Sequence, residues 1–193
     1  MMHAPTVFKR RDERLGEFAL RPVDPAADAP LLHEWVTHPK CRYWMMAEAS
    51  IADVWAEHEA IAASEHHFAF LGMHRYRSSF LVEVYDPART ELAGVYDVRE
   101  GDVGMHVLTA PTNTPIPGFT RGVMVTVMDL LFDGFNAGRV VVEPDASNTP
   151  IHRLNDWVGF RSERTVQLSD KKALLSFCTP SDYERSAARG LTT

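Results

Sequence analysis

The protein has 193 residues, of which 45% are apolar and 24% charged, a length and composition that suit one ordinary globular domain. A formal net charge of −6 without long Lys/Arg runs disfavours a nucleic-acid partner. Two cysteines, Cys41 and Cys178, are too few for a disulfide framework, and no apolar run approaches the roughly 20 residues of a membrane span. We therefore expect a cytoplasmic protein that contacts neither nucleic acid nor membrane.

The first half of the chain predicts one strand and two helices after a flexible N-terminal arm, residues 1–15. EFALRPVD alternates as a strand does, and AADAPLLHEWVTHP predicts a short helix that ends before Pro39. A second helix has Ser50 as its N-cap and Asp53 at its third position. Four strand-like segments follow, HFAFLGMHR, SSFLVEVYD, ELAGVYDV and DVGMHVLTA, and their short separations predict an antiparallel meander.

The second half alternates helices and strands. A helix is predicted from about Arg121 to Asn136, and the unbroken apolar run RVVVEP predicts a strand buried on both faces. A further helix is capped by Asn148 and ended by Gly159, and FRSERTVQLS and KALLSFCT form a hairpin. The order predicts an α/β (α+β) fold with a helix-covered mixed sheet. It forms a single domain, 16–180, followed by a C-terminal tail, 181–193.

One stretch, DVGMHVLTAPTNTPIPGFTRGVM, combines features of a phosphate site. His106 lies late in a predicted strand, and a glycine-flanked arginine, Arg121, follows at a helix start. A helix N-terminus offers unpaired N–H groups and partial positive charge, and arginine adds a donor fork. The alternatives are a hydrogen-bonded structural histidine and a solvated arginine, since each signal is common by itself.

The end of the predicted strand RVVVEP carries a second group of polar side chains. Asp145 follows the strand directly, and strand ends are where ligands bind in such sheets. The alternative is that Asp145, Ser147 and Asn148 only cap the next helix.

The nine histidines do not predict a metal site. HEWVTH is one residue longer than the zinc signature H-E-x-x-H, so His33 and His38 would lie about 140° apart on a helix. His66 and His67 are adjacent and would point to opposite faces of a strand. We expect no metal.

Two sets of motifs resemble the GNAT superfamily of acyl-CoA-dependent N-acyltransferases over about residues 17–179. The first is the strand, loop, helix and strand after Asp102, with Asn148 and, after ten further residues, Gly159-Phe160. The second comprises HEWVTHPKCRYWM, GMHVLTAP and VVEPDASN, which are similar to segments of the siderophore-biosynthesis branch. Members of that branch acylate the side-chain amine or hydroxylamine of a lysine-type precursor.

The resemblance implies a largely antiparallel sheet whose fourth and fifth strands splay apart around the pantetheine arm of acetyl-CoA or a longer acyl-CoA. By motif position, the branch's proposed catalytic groups fall on His106 and Asp145. His106 would take the proton of the attacking amine, and Asp145 would hold the acceptor's ammonium or orient the histidine. The resemblance implies that the co-substrate is bound by Val107, Leu108, Thr120, Arg121, Gly122, Val123 and Asn148. It also implies that the acceptor and acyl pocket is lined by Trp35, Tyr43 and Trp44. For Trp55, the helical spacing favours core packing instead.

The pyrophosphate loop departs from the superfamily pattern Gln/Arg-x-x-Gly-x-Gly/Ala. Gly122 takes the first glycine position, but Phe119 and Met124 stand at the other two. Two alternatives therefore remain: an N-acetyltransferase of amino sugars such as aminoglycosides, and a binding module with a degenerate loop that holds an acyl or amine ligand. We expect a small-molecule amine or hydroxylamine as partner, and a monomer or weak dimer.

Overall fold

The computed structural model describes residues 7–190, with only the backbone at 189 and 190. The chain divides into two compact units. The first comprises the chain up to Val84 and His106–Thr126, and the second comprises Tyr85–Met105 and the chain from Val127 onward.

Within residues 7–190, eight strands are hydrogen-bonded in the order β1-β2-β3-β4-β5-β6-β8-β7. The pairs β1–β2, β2–β3, β6–β8 and β7–β8 are antiparallel, whereas β5–β6 is parallel. Together with the five α-helices of the same described range, these strands confirm the predicted mixed α/β fold. The strands are β1 (Phe8–Asp12), β2 (Gly16–Pro22), β3 (His67–His74), β4 (Arg77–Tyr85), β5 (Asp102–Thr109), β6 (Arg139–Val142), β7 (Arg161–Gln167) and β8 (Lys172–Cys178).

The helices match the predicted positions where local signals were strong. At the second helix, Ser50 is the predicted N-cap, and it forms a capping box with Asp53 in which each side chain bonds the other residue's backbone N–H. The α-helices are α1 (Pro25–Val36), α2 (Ile51–Ala62), α3 (Phe119–Asp129), α4 (Thr149–Val158) and α5 (Pro180–Gly190). Short 3-10 helices span Pro39–Trp44, Pro87–Arg89 and Glu91–Gly94, and a π-helix, Leu130–Gly134, continues α3.

In the first unit, α1 and α2 pack their apolar faces against the sheet. Their cap residues, Asp24 and Ser50, accept bonds from first-turn N–H groups and so fix where each helix begins. The core that results is formed by Val23, Ala29, Leu32, Trp35, Val36, Val54, Ile61, Ala69, Leu71, Leu81 and Leu108.

In the second unit, β6 is buried as its apolar run predicts, with Val140 and Val141 fully inaccessible to solvent. It pairs in parallel with the start of β5, at Asp102↔Arg139, Val103↔Val140 and Gly104↔Val141. The ladder ends at Gly104, two residues before His106. The resemblance implies that two neighbouring strands part around the pantetheine arm. The shortness of the β5–β6 ladder agrees with this expectation.

The prediction of a flexible arm over residues 1–15 is wrong for the part from residue 7 onward that the structure describes. Phe8–Asp12 forms β1 and pairs with β2, from Phe8↔Leu20 to Asp12↔Gly16. Asp12 accepts the N–H groups of Arg14 and Leu15, which shapes the turn between the strands. The charged residues of FKRRD hide the strand signal because this strand borders only one neighbour. Residues 1–6 lie outside the described part.

The strand predicted at ELAGVYDV is also wrong, because side chains offer the backbone competing bonds there. Asp86 accepts the N–H of Ala88 at 2.9 Å, and Thr90 accepts that of Leu92 at 3.2 Å. These two caps start the 3-10 helices Pro87–Arg89 and Glu91–Gly94.

The predicted tail, 181–193, is helical over most of its length. Thr179 donates its hydroxyl to Asp182 at 2.6 Å and accepts the Asp182 N–H at 3.2 Å. This reciprocal cap starts α5 at Pro180. Residues 191–193 lie outside the described part.

Candidate active site

His106 lies in β5 with its side chain 40% exposed. On a strand it shares a face with Leu108, which is buried in the core beneath α1 and α2. Met105, on the opposite face, is 3% exposed. The imidazole therefore stands at the edge of a packed core, where solvent reaches it.

Glu83 of β4 holds the inner side of this imidazole. Its Oε2 lies 3.1 Å from His106 Nδ1 and 3.8 Å from Nε2 of His67 on β3. The first distance is a hydrogen bond and the second is an ion-pair distance. Because an ionised carboxylate only accepts, this bond requires a proton on His106 Nδ1, and in a neutral ring Nε2 then keeps its lone pair.

Glu83 is ionised although it is only 7% exposed. Burial by itself raises the pKa of this carboxyl, but the hydrogen bond from His106 and the nearness of His67 outweigh it and lower the pKa to about 2. A fixed negative charge thus lies behind the candidate base.

Sequence reasoning missed Glu83 and considered His67 only as a metal ligand. The available signal was a single carboxylate inside the apolar strand FLVEVY. Such a residue is rarely buried without a partner, yet the sequence does not say which partner it has.

Trp44 lies beside His106. The two rings meet edge-on, with centroids 6.1 Å apart and planes at 77°. Trp44 ends a 3-10 helix, and the next residue, Met45, adopts a left-handed conformation with φ +64°. Lys40 of the same helix donates to the carbonyl of Thr112 in the loop after β5, which ties this segment down.

The remaining predicted pocket aromatics occupy different environments. Trp35 is 6% exposed and belongs to the core, and Tyr43 accepts a bond from Arg42, whose guanidinium lies over its ring. The core packing expected for Trp55 is wrong, because its side chain is 46% exposed. Trp55 and Ile51 lie one turn apart on the exposed side of α2.

The predicted pyrophosphate loop leads into α3, whose first turn is exposed at Thr120 and Arg121. Gly118 precedes the helix with φ +80°. The Gly122 N–H donates to the Gly118 carbonyl oxygen at 3.0 Å, and Val123 is buried. The first N–H groups of a helix have no partner within the helix, and they attract anions such as a diphosphate.

Gly122 allows α3 to pack closely against Leu15 and Phe18. A Cβ at this position would lie 2.7 Å from Leu15 Cδ1 and 2.9 Å from Phe18 Cζ. The absence of a side chain therefore lets α3 approach β2 closely, which is a reason for this glycine other than ligand access.

In the second unit, Tyr85 covers the last residue of the β5–β6 ladder. A Cβ at Gly104 would lie 2.0 Å from Tyr85 Cε2. The Tyr85 hydroxyl donates to the buried Glu143 at 2.7 Å, and Lys171 lies 3.8 Å from the other oxygen of that carboxylate.

Asp145 follows β6 in a local turn of its own. Its carboxylate accepts the Ser147 hydroxyl at 2.5 Å and the Ser147 N–H at 2.7 Å, and these bonds lower the pKa of Asp145. Asn148 is the N-cap of α4, but its side chain makes no capping bond. The Asp145 carboxylate therefore shapes the turn that leads into α4.

A family model described as an acetyltransferase (GNAT) domain matches residues 24–168. The chain belongs to this family. It is an acyl-CoA-dependent N-acyltransferase that acts on amines, as the sequence resemblance predicted.

Two relatives of this GNAT protein have named activities. N-hydroxyputrescine acetyltransferase of Acinetobacter baumannii is 27% identical over 175 residues, which cover 90% of this chain and 83% of the relative. Lysine N-acyltransferase MbtK of a Mycobacterium species is 28% identical over 145 residues, which cover 74% of this chain and 59% of the relative.

Solved structures share the fold of this GNAT protein. An uncharacterised protein of Bacillus halodurans superposes with a TM-score of 0.89 at 22% identity and covers 96% of both chains. AAC(6')-Ib in complex with ribostamycin and coenzyme A superposes with a TM-score of 0.76 at 21% identity, over 86% of this chain and 95% of that one. At these identities the likeness concerns the fold alone.

Two features are absent from the described residues of the GNAT chain. Within 7–190, no group of three or more His, Cys, Asp or Glu side chains is placed to hold a metal ion. Over the same range, no helix has the length and apolar character needed to cross a bilayer.

Proposed function

We propose that the protein transfers an acyl group from acyl-CoA to the terminal amine or hydroxylamine of a linear precursor of lysine or putrescine type, in siderophore assembly. The observation that carries the proposal is the half-exposed His106, tied at Nδ1 and flanked by Trp44. An imidazole held in this way presents Nε2 as a proton acceptor.

In this proposal, His106 takes the proton from the acceptor nitrogen, directly or through one water. Asp145 holds the acceptor's ammonium, since the orienting bond to His106 Nδ1 comes from Glu83. Val107, Leu108, Thr120, Arg121, Gly122, Val123 and Asn148 remain the residues proposed to bind the co-substrate.

The acceptor class is supported by the two relatives at 27% and 28% identity, whose names specify N-hydroxyputrescine and lysine. The apolar ring of Trp44 beside the base offers a surface for the methylene chain of a linear diamine. An aminoglycoside acceptor is the second candidate, because AAC(6')-Ib shares the fold.

An acceptor panel tests this function. Initial rates are measured with acetyl-CoA and each of lysine, N-hydroxyputrescine and kanamycin. We expect kcat/KM for a linear acceptor to exceed that for kanamycin at least about tenfold, a difference of about 1.4 kcal/mol in transition-state binding. Faster turnover of kanamycin would contradict the siderophore assignment, and turnover of none of them would favour the binding-module alternative.

A further inference from the structure

Three ionisable side chains on neighbouring strands form a row that ends at the candidate base. His106 lies on β5, Glu83 on β4 and His67 on β3. Glu83 Oε2 lies 3.1 Å from one imidazole and 3.8 Å from the other. The sequence motifs do not predict that these three side chains lie together.

We propose that Glu83 and His67 are positioning residues for acyl transfer: Glu83 fixes the tautomer and orientation of His106, and His67 shares the charge of Glu83. This inference rests on the proposed function, because it concerns how the base His106 is held.

Burial explains why Glu83 needs both imidazoles. A carboxylate that is 7% exposed loses most of its hydration, and such a group persists as an anion only with partners. The ionisable groups that face it are His106 from β5 and His67 from β3. Their side chains are 40% and 30% exposed, so solvent reaches both imidazoles.

The chemical step assigns one proton to His106. The acceptor nitrogen forms a bond to the thioester carbon, the carbon–sulfur bond breaks, and coenzyme A leaves as a thiolate. His106 Nε2 takes the proton from the nitrogen and returns it to the thiolate, so the products are the amide or hydroxamate and free coenzyme A. Glu83 stays ionised throughout and stabilises the transient imidazolium.

Replacement of Glu83 tests the first half of the proposal. Glu83→Gln keeps the shape but removes the charge, so we expect kcat to fall about 10²-fold, with KM for acetyl-CoA changed less than about twofold. Without the carboxylate the imidazolium is less favoured, so the acid limb of the kcat/KM profile moves about one unit to lower pH. An unchanged profile would overturn the role of Glu83.

Replacement of His67 tests the second half, with its neighbour His66 as a matched control. In His67→Gln the charge of the Glu83 carboxylate acts on His106 alone and favours its imidazolium form. The acid limb of the kcat/KM profile should therefore move to higher pH, opposite to the shift in Glu83→Gln. His66→Gln should leave the limb in place. If His67→Gln and His66→Gln give the same profile, the role of His67 is excluded.

A substrate-free readout separates this inference from the proposed function. Two-bond ¹H–¹⁵N spectra of the labelled protein should show His106 with its proton on Nδ1, and Glu83→Gln should lose that preference. A wild-type His106 protonated mainly on Nε2 would overturn the inference even if an amine is acylated. Absence of turnover with every amine, with the Nδ1 tautomer intact, would sink the proposed function and leave the row of side chains standing.

Discussion

Glu83 couples the site to the acid stability of the fold. Its pKa of about 2 lies below the ordinary value of 4.5, so the ionised group stabilises the folded state above about pH 4.5. That stabilisation is lost as the pH falls from about 4.5 towards 2, because the unfolded state binds the proton first.

Urea unfolding at a series of pH values measures this effect. We predict that the free energy of unfolding of wild type falls more steeply between about pH 4.5 and 2 than that of Glu83→Gln. Glu57→Gln, a change on the exposed face of α2, serves as the control and should keep the wild-type slope. Equal slopes for Glu83→Gln and wild type would show that Glu83 is not held as an anion.

Asp145 gives a second prediction for a single residue. Asp145→Asn removes the negative charge, so we expect the KM of the amine acceptor to rise about tenfold while that of acetyl-CoA stays near normal. Ser147→Ala removes a bond to Asp145 but keeps its charge, and it should change the acceptor KM less. An unaltered acceptor KM in Asp145→Asn would remove Asp145 from the acceptor site.

At the level of elements, the end of the β5–β6 ladder depends on a glycine. Gly104→Ala would place a methyl group 2.0 Å from the Tyr85 ring, so we predict a loss of about 1–3 kcal/mol in unfolding free energy. Gly94→Ala is the matched control, since nothing lies within 4 Å of a Cβ there. Equal urea midpoints for the two variants would contradict the packing of Tyr85 against this strand.

Elements with local signals were predictable from the sequence. The capping box of Ser50 and Asp53 marks the start of α2, and the apolar run of β6 marks a strand buried on both faces. Both signals depend on neighbours in the chain. In contrast, β1 forms by pairing with β2, which lies outside its own segment. At ELAG, a side-chain cap favours a 3-10 helix over the predicted strand.

The candidate site was predictable to a similar extent. His106 and Trp44, both expected from motifs, are brought together from segments far apart in the chain. Glu83 and His67 were not predicted, because their contacts arise only when β3, β4 and β5 align in the sheet. A motif carries the chemistry of a residue but not the partners that hold it.

For the whole molecule, ligand binding should appear as thermal stabilisation. Acetyl-CoA at about 100 times its Kd adds about 2.7 kcal/mol to the folded state, which corresponds to a rise of about 5–10 °C in the melting temperature for a chain of this size. We predict this rise with acetyl-CoA. Stabilisation by an amine alone, with none by acetyl-CoA, would instead support a binding module.

The most direct test compares wild type with His106→Ala, using turnover of the preferred linear amine and the Kd for acetyl-CoA. We predict that turnover falls about two to four decades, because a positioned base contributes roughly 10²–10⁴-fold, while the Kd stays within about twofold. A His106→Ala variant that turns over at the wild-type rate would contradict the account.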